Sequence, residues 1–175
     1  MFWFKKFFIR RAVQKASGLE RRVKLPDLEK PVNLLLLMHD LPESEVKACR
    51  RALEGVFNIA TLRIVLVAKK KPKSFIKDDA VFSMHPGCLS WNAKVIDTRL
   101  VELLDTPVDL SLDLRENQTL SGDFVLYRQR SDFKVNFTND ETAVDLSLKM
   151  NTTADLNTKL AQLKKYLMKL NGRTL

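Results

Sequence analysis

Residues 33–38 read Asn-Leu-Leu-Leu-Leu-Met, an apolar run that offers water no polar face before it ends at His39-Asp40. A run so short and so uniform suits a strand covered on both sides, as in a parallel sheet with helices above and below. Asp40 followed by Pro42 and Glu43 is the pattern of a helix start, in which Asp40 is expected to cap orphan backbone amides. Val46, Cys49, Leu53 and Val56 then recur at helical spacing, with Gly55 near the end. Cys49 therefore reads as core. Residues 61–67, Thr-Leu-Arg-Ile-Val-Leu-Val, are rich in β-branched side chains and complete a βαβ unit.

Further strands are expected at 80–84, 108–114, 133–137 and 143–149, with a helix near 97–105. A final helix from about Thr153 carries Leu156, Leu160, Leu163, Leu167 and Leu170 on one stripe and stops near Asn171-Gly172. The second half holds a conflict. Val108, Leu110, Leu112 and Leu114 alternate with polar residues, as do Val144, Leu146 and Leu148, and strict alternation normally means one wet face. Residues 118–129 contain Phe124-Val125-Leu126-Tyr127, so an antiparallel meander competes with a βαβ continuation on local pattern alone. With 175 residues, 45% of them hydrophobic, the chain can bury one adequate core. Cys49 and Cys88 form no paired motif, which fits a reducing, cytoplasmic setting.

The net charge of +9 is unevenly placed. Residues 1–24 hold eight basic residues against Glu20, a local +7, which leaves +2 for the other 151 residues. Trp3, Phe4, Phe7 and Phe8 are interleaved there with Lys5, Lys6, Arg10 and Arg11, and Lys15, Arg21 and Arg22 follow. The charges interrupt every apolar run, so neither a secretory signal nor a transmembrane anchor is read. At helical spacing Trp3, Phe4, Phe7 and Phe8 form a broad apolar face with a cationic border. Such a helix can lie in an anionic membrane interface, clamp RNA by charge and stacking, or dock on its own domain or a second copy. The expected organisation is a basic helix at 1–24, a proline-bounded connector at 25–32 and one α/β domain at 33–175.

The order of basic helix, apolar strand ending near an Asp, Val108-Asp109-Leu110-Ser111-Leu112, Ser131-Asp132-Phe133-Lys134-Val135 and Val144-Asp145-Leu146-Ser147-Leu148 resembles an uncharacterised bacterial domain-of-unknown-function family of similar length. The resemblance implies that residues 118–129 are a crossover helix and that the sheet is largely parallel. It carries no activity. The chain departs from the family pattern at Asn136, where a Gly is more usual, and in having no Pro between 108 and 131. With it, the expected fold is a three-layer α/β domain with a mainly parallel sheet, Rossmann-like or flavodoxin-like, plus an added N-terminal amphipathic helix.

In open α/β sheets ligands bind beyond the carboxyl ends of the strands, which makes His39, Asp40, His85, Asp113 and Arg115 the ligand-binding candidates. No catalytic constellation is recognised. The histidines and cysteines lack the spacing of a metal site, the five glycines are isolated so that no phosphate loop exists, and nothing identifies a cofactor. The adopted reading is a noncatalytic binding or adaptor protein, cytoplasmic and peripheral to the inner face of the membrane. Its anionic-surface contacts would be Trp3, Phe4, Lys5, Lys6, Phe8, Arg10, Arg11, Lys15, Arg21 and Arg22. The alternatives are RNA or ribosome association through the same helix, and a small-molecule or nucleotide-sugar binding domain.

Overall fold

A computed structural model describes residues 7–13, 23–72, 76–138, 144–149 and 155–172. The strand expected at 33–38 is β1, Val32–His39. Its Leu34, Leu35, Leu36 and Leu37 are wholly buried because both faces are covered. It is followed by helix α2, Glu43–Val56, then by β2, Ile59–Val67, and β3, Val81–Met84. A short 3₁₀ turn, Pro86–Cys88, leads on to α3, Thr98–Asp105, and β4, Val108–Asp113. The remaining elements are α4, Leu120–Arg128, β5, Ser131–Asn136, the two-residue β6, Leu146–Ser147, and α5, Leu156–Leu170. Residues 7–13 are helical and are called α1. The rest of the basic helix expected over 1–24 lies outside the described residues, apart from Val23 and Lys24, which are not helical.

The six strands form one sheet in the order β3-β2-β1-β4-β5-β6, and every pairing is parallel. The antiparallel meander is thereby excluded, and the strands run 3-2-1-4-5-6 across the sheet. Alternation along the strands sorts the side chains into two cores. Leu34, Leu36 and Met38 of β1 join Ile64 and Leu66 of β2, Leu110 and Leu112 of β4, and Phe133 and Val135 of β5 on the face covered by α2 and α5. Leu35, Leu37, Val65 and Val67 face α3, α4 and Ile9 of α1. Three layers result because a strand buried on both sides needs a helix layer on each.

Residues 118–129, ambiguous by pattern, become α4. Phe124, Val125 and Leu126 are all buried, so the helix shows an apolar run where a surface helix would show a stripe, which is why local pattern resembled a strand. Its start is marked by Thr119, whose side chain accepts from the Gly122 amide, with Asp123 in the first turn. The alternation of β4 also has an unexpected cause. Its polar residues do not face water: Ser111 and Asp113, with Lys134 and Asn136 of β5, are buried. Ser111 and Ser131 hydrogen-bond each other, and the Lys134 ammonium donates to the Leu126 carbonyl of α4. A polar seam thus lies beneath α4, in which Ser111, Asp113 and Lys134 find their partners in the sheet, in Arg115 and in the helix instead of in solvent.

Two expectations are corrected. Asp40 does not cap α2: the N-cap residue is Pro42, no side chain bonds to the first-turn amides, and Asp40 is exposed with its own amide donating to Val67. The β1 ladder carries the chain beyond Asp40 before it can turn, so Glu43 and Glu45 favour the helix start only through the dipole. The last helix begins at Leu156 because Asp155 caps it, accepting from the Thr158 amide at 2.7 Å. At its other end Gly172 takes φ 71°, the left-handed conformation that closes helices. The connector at 25–32 is packed: Leu25 and Leu28 lie on the α2/α5 core, and Asn171 donates to the Pro26 carbonyl.

Truncating Leu36 to alanine is expected to cost about 2–5 kcal/mol in urea denaturation, whereas Leu170→Ala, at a side chain 53% exposed, should change little. The Asp155 carboxyl is held below its ordinary value of 3.8 chiefly by the hydrogen bond from the Thr158 amide. A lowered folded-state pKa means that the cap contributes fully above the ordinary value and is lost as pH falls through the depressed one. The Thr158 amide proton shift should therefore titrate with a midpoint below 3.8, and a midpoint at or above it would contradict the cap.

Candidate functional site

The strand order reverses between β1 and β4, and at their carboxyl ends stand three of the residues singled out from sequence. Asp113 is the last residue of β4 and pairs in register with Leu37 of β1. Two residues on, the Arg115 guanidinium meets it in a bidentate fork, Nε to Oδ1 at 2.8 Å and Nη2 to Oδ2 at 2.6 Å. Nη2 also reaches Asp123 at 3.2 Å, and Nη1 lies 3.4 Å from both oxygens of Thr119. Arg115 is 3% exposed and Asp113 6%. Burial alone would favour a neutral guanidinium, yet the hydrogen bonds and charge of Asp113, aided by Asp123, more than offset it and raise the Arg115 pKa.

This fork clamps the start of α4 to the end of β4. Gly122 is what makes room for it, since a Cβ there would lie 1.7 Å from Nη1 of Arg115. Thr119, Gly122 and Asp123 were not singled out from sequence. The available signal was a capping Thr just before a glycine and an acid, at the point where an apolar run begins. Asp113 and Arg115 hold one another with their donors and acceptors engaged, which is the chemistry of a structural ion pair.

His39, at the end of β1, is tied to the same corner: its Nε2 accepts from the Asn117 amide at 3.3 Å. The lone pair that a general base would use at this nitrogen is thereby engaged. Asp40 points elsewhere. It lines an open groove of about 410 Å³ with Leu41, Pro42 and Glu43 at the start of α2. His85 lines a larger groove of about 850 Å³ at the ends of β2 and β3, which His39, Asp113 and Arg115 do not line. The Nδ1 of His85 accepts from the Gly87 amide at 3.0 Å. Among the described residues the five candidates therefore divide among a packed corner and two grooves.

Cys49 is half-buried against the α2/α5 core, and burial, followed by the charge of Glu45, pushes its thiol up. A thiol so disposed is held in its unreactive form. Cys88 is buried, its Sγ donating to the Ser83 carbonyl at 3.5 Å. Among the described residues no three His, Cys, Asp or Glu side chains are grouped to hold a metal.

The remaining candidates lie on the basic arm. Ile9 of α1 is buried in the α3/α4 core, and the Phe8 ring meets Trp91 edge-to-face at 5.6 Å. Trp91 sits in the bend between the bridged residues Leu89 and Val95 and is 64% exposed. Phe7 is 50% exposed and packs edge-on to Phe8 at 5.8 Å. Arg10 and Arg11 are exposed. Trp91 was missed from sequence because a lone Trp in a polar loop carries no periodic signal. Trp3, Phe4, Lys5, Lys6, Lys15, Arg21 and Arg22 lie outside the described residues.

Replacing a helical glycine by alanine ordinarily stabilises by roughly 0.5–1 kcal/mol. Gly122→Ala is expected to do the opposite, losing about 1–3 kcal/mol because the methyl collides with the buried guanidinium. Asp113→Ala should lose about 3–5 kcal/mol by leaving that charge short of its main partner. Urea denaturation measures both, and an unchanged or higher midpoint for Gly122→Ala would place Arg115 elsewhere.

No curated protein and no solved structure matches the chain. The model of a family of unknown function, DUF6913, matches residues 5–170, a span that runs from the basic arm to the last residue of α5. With nearly all of its length so matched, the chain belongs to the DUF6913 family.

Proposed function

We propose that this protein is a noncatalytic binding or adaptor protein that docks on an anionic membrane surface through α1 and the Trp91 bend. The observation that carries the reading is the Phe7–Phe8–Trp91 cluster. Two of its three rings are at least half exposed, and they stand beside the exposed Arg10 and Arg11. Exposed aromatic side chains of this kind are costly in water and favourable at the headgroup level of a bilayer, where ring and cation are both accommodated.

The magnitudes favour joint action. Burying a Phe-sized side chain contributes roughly 1.5–3 kcal/mol, and each Lys or Arg near an anionic surface about 1 kcal/mol. Neither term alone makes a stable peripheral attachment, but together they do, by the same two-signal logic that governs lipid anchors. Because Ile9 is buried and Phe8 is braced by Trp91, the helix is presented at a set angle on the domain, which lowers the ordering cost of docking. Among the described residues no helix is long and apolar enough to cross a membrane, and the attachment proposed is peripheral, at the inner face.

Sedimentation with vesicles tests this directly. The full chain should pellet with phosphatidylcholine vesicles containing phosphatidylglycerol and not with phosphatidylcholine alone. The Phe7→Ala/Trp91→Ala pair and the Arg10→Gln/Arg11→Gln pair should each weaken binding about tenfold or more, a decade for every 1.4 kcal/mol lost. Failure of the full chain to pellet with either vesicle overturns the reading. So does salt-sensitive binding to a homopolymer RNA without vesicle binding, which would assign the patch to nucleic acid.

A further inference from the structure

We propose that the groove at the carboxyl ends of β2 and β3 binds a small phosphate monoester carrying an apolar body. The groove encloses about 850 Å³, within the range of small-molecule sites. One wall is Lys69, Lys70 and Lys71, which follow β2 after Ala68, and the other is the His85–Cys88 turn that follows β3, with Arg99 at the start of α3. Phe82, Ile96 and Leu100 supply the apolar surface between them. Three lysines and an arginine thus face a shared space. Its only lining carboxylate among the described residues, Asp97, is occupied with the Arg99 and Leu100 amides.

The neighbouring groove sets the polarity of the site. It shares Ile76, Val81, Phe82 and Ser83 with the larger one, but its charged residues are Asp40 and Glu43, both acidic. An anion is repelled from that end and drawn to the lysine wall. The same acids, with Pro42 and no glycine in the β1–α2 turn, oppose a phosphate at the start of α2, where dinucleotide-binding sheets hold theirs. The cationic position in this fold has moved outward by one and two strands, to the ends of β2 and β3.

Arg99 is poised to engage the ligand. Its guanidinium lies over the Phe82 ring at 5.3 Å, which orients it, while Nη2 donates to the Asp79 carbonyl at 3.2 Å and makes a long ion pair, 3.4 Å, with the fully exposed Asp79 carboxylate. Such a surface pair is weak and is readily exchanged for a phosphate. Ile96 is 64% exposed, and an apolar body seated on it, beside Phe82 and Leu100, would take that surface out of water. The hydroxyl of Ser83, on the wall shared by both grooves, is buried with no hydrogen-bond partner among the described residues. A ligand oxygen would supply what the protein leaves unmet there.

Phenyl phosphate and inorganic phosphate are the probes, followed in ¹H–¹⁵N NMR spectra of the full chain. Phenyl phosphate should give saturable shifts at the Ser83, Gly87, Cys88 and Leu100 amides and bind about tenfold or more tightly than inorganic phosphate. Arg99→Gln and Lys70→Gln/Lys71→Gln alter exposed side chains and should keep the unfolding temperature while weakening phenyl phosphate about tenfold or more. Phe7→Ala/Trp91→Ala should bind it unchanged, so this site and the membrane reading stand or fall separately. The proposal is overturned by the absence of saturable shifts, by shifts centred on α1 and Trp91, by equal affinity for the two probes, or by unaltered binding in the Arg99 and lysine variants.

Discussion

A strand that meets water on neither face must have helices packed above and below it, and β1 imposes that requirement on everything around it. With its four consecutive leucines wholly buried, β1 recruits α2 and α5 to one side and α3, α4 and α1 to the other. Parallel pairing with both β2 and β4 follows, because each neighbour must return through a crossover that also supplies cover. The three layers and the reversal of strand order beside β1 are therefore consequences of the same burial.

On the β4–β5 half the helix cover rests on a second kind of contact. Ser111, Asp113, Lys134 and Asn136 occupy the positions under α4 where the β1–β2 half has Leu and Val. Charged groups in such a place are tolerable only when fully paired, and the Arg115 fork to Asp113 with its further reach to Asp123 meets that condition at the start of α4. Near the other end of the helix the Lys134 ammonium binds the Leu126 carbonyl. Asp109 and Asp145, at matching places in two Val-Asp-Leu-Ser-Leu segments, each accept a neighbouring strand's backbone amide at 2.7 Å, those of Asn33 and Lys134. The repeated aspartates thus finish the sheet's hydrogen bonding where the ladder does not.

The segment from His85 to Arg99 joins the basic groove to the aromatic patch on α1. Its 3₁₀ turn and the start of α3 wall the groove, while its bend carries Trp91 to the Phe8 ring. The packed corner of His39, Asp113 and Arg115 contributes to neither surface. Its side chains hold β1, β4 and α4 together, through the Asp113–Arg115 fork and the Asn117 amide on His39.

Much of this architecture was legible in the residues themselves. The unbroken run at 33–38, the helical stripe from Val46 to Val56 and the leucine repeat from Leu156 to Leu170 each state a period and a degree of burial, and those are local properties of a sequence. Local pattern was silent on whether residues 118–129 formed a helix, because Phe124, Val125 and Leu126 are enclosed on all sides and show no stripe. It was misleading about the alternation of β4, where Ser111 meets Ser131 and Asp113 meets Arg115 instead of water. It also could not show that Arg99 and Lys69–Lys71 share a groove or that Trp91 meets Phe8. Sequence by itself determined the elements and the two-sided burial of β1, since these depend on neighbours along the chain. Which polar groups are paired, which remain at a surface and which meet across a groove was decided only by tertiary structure, because those contacts join residues far apart in the chain.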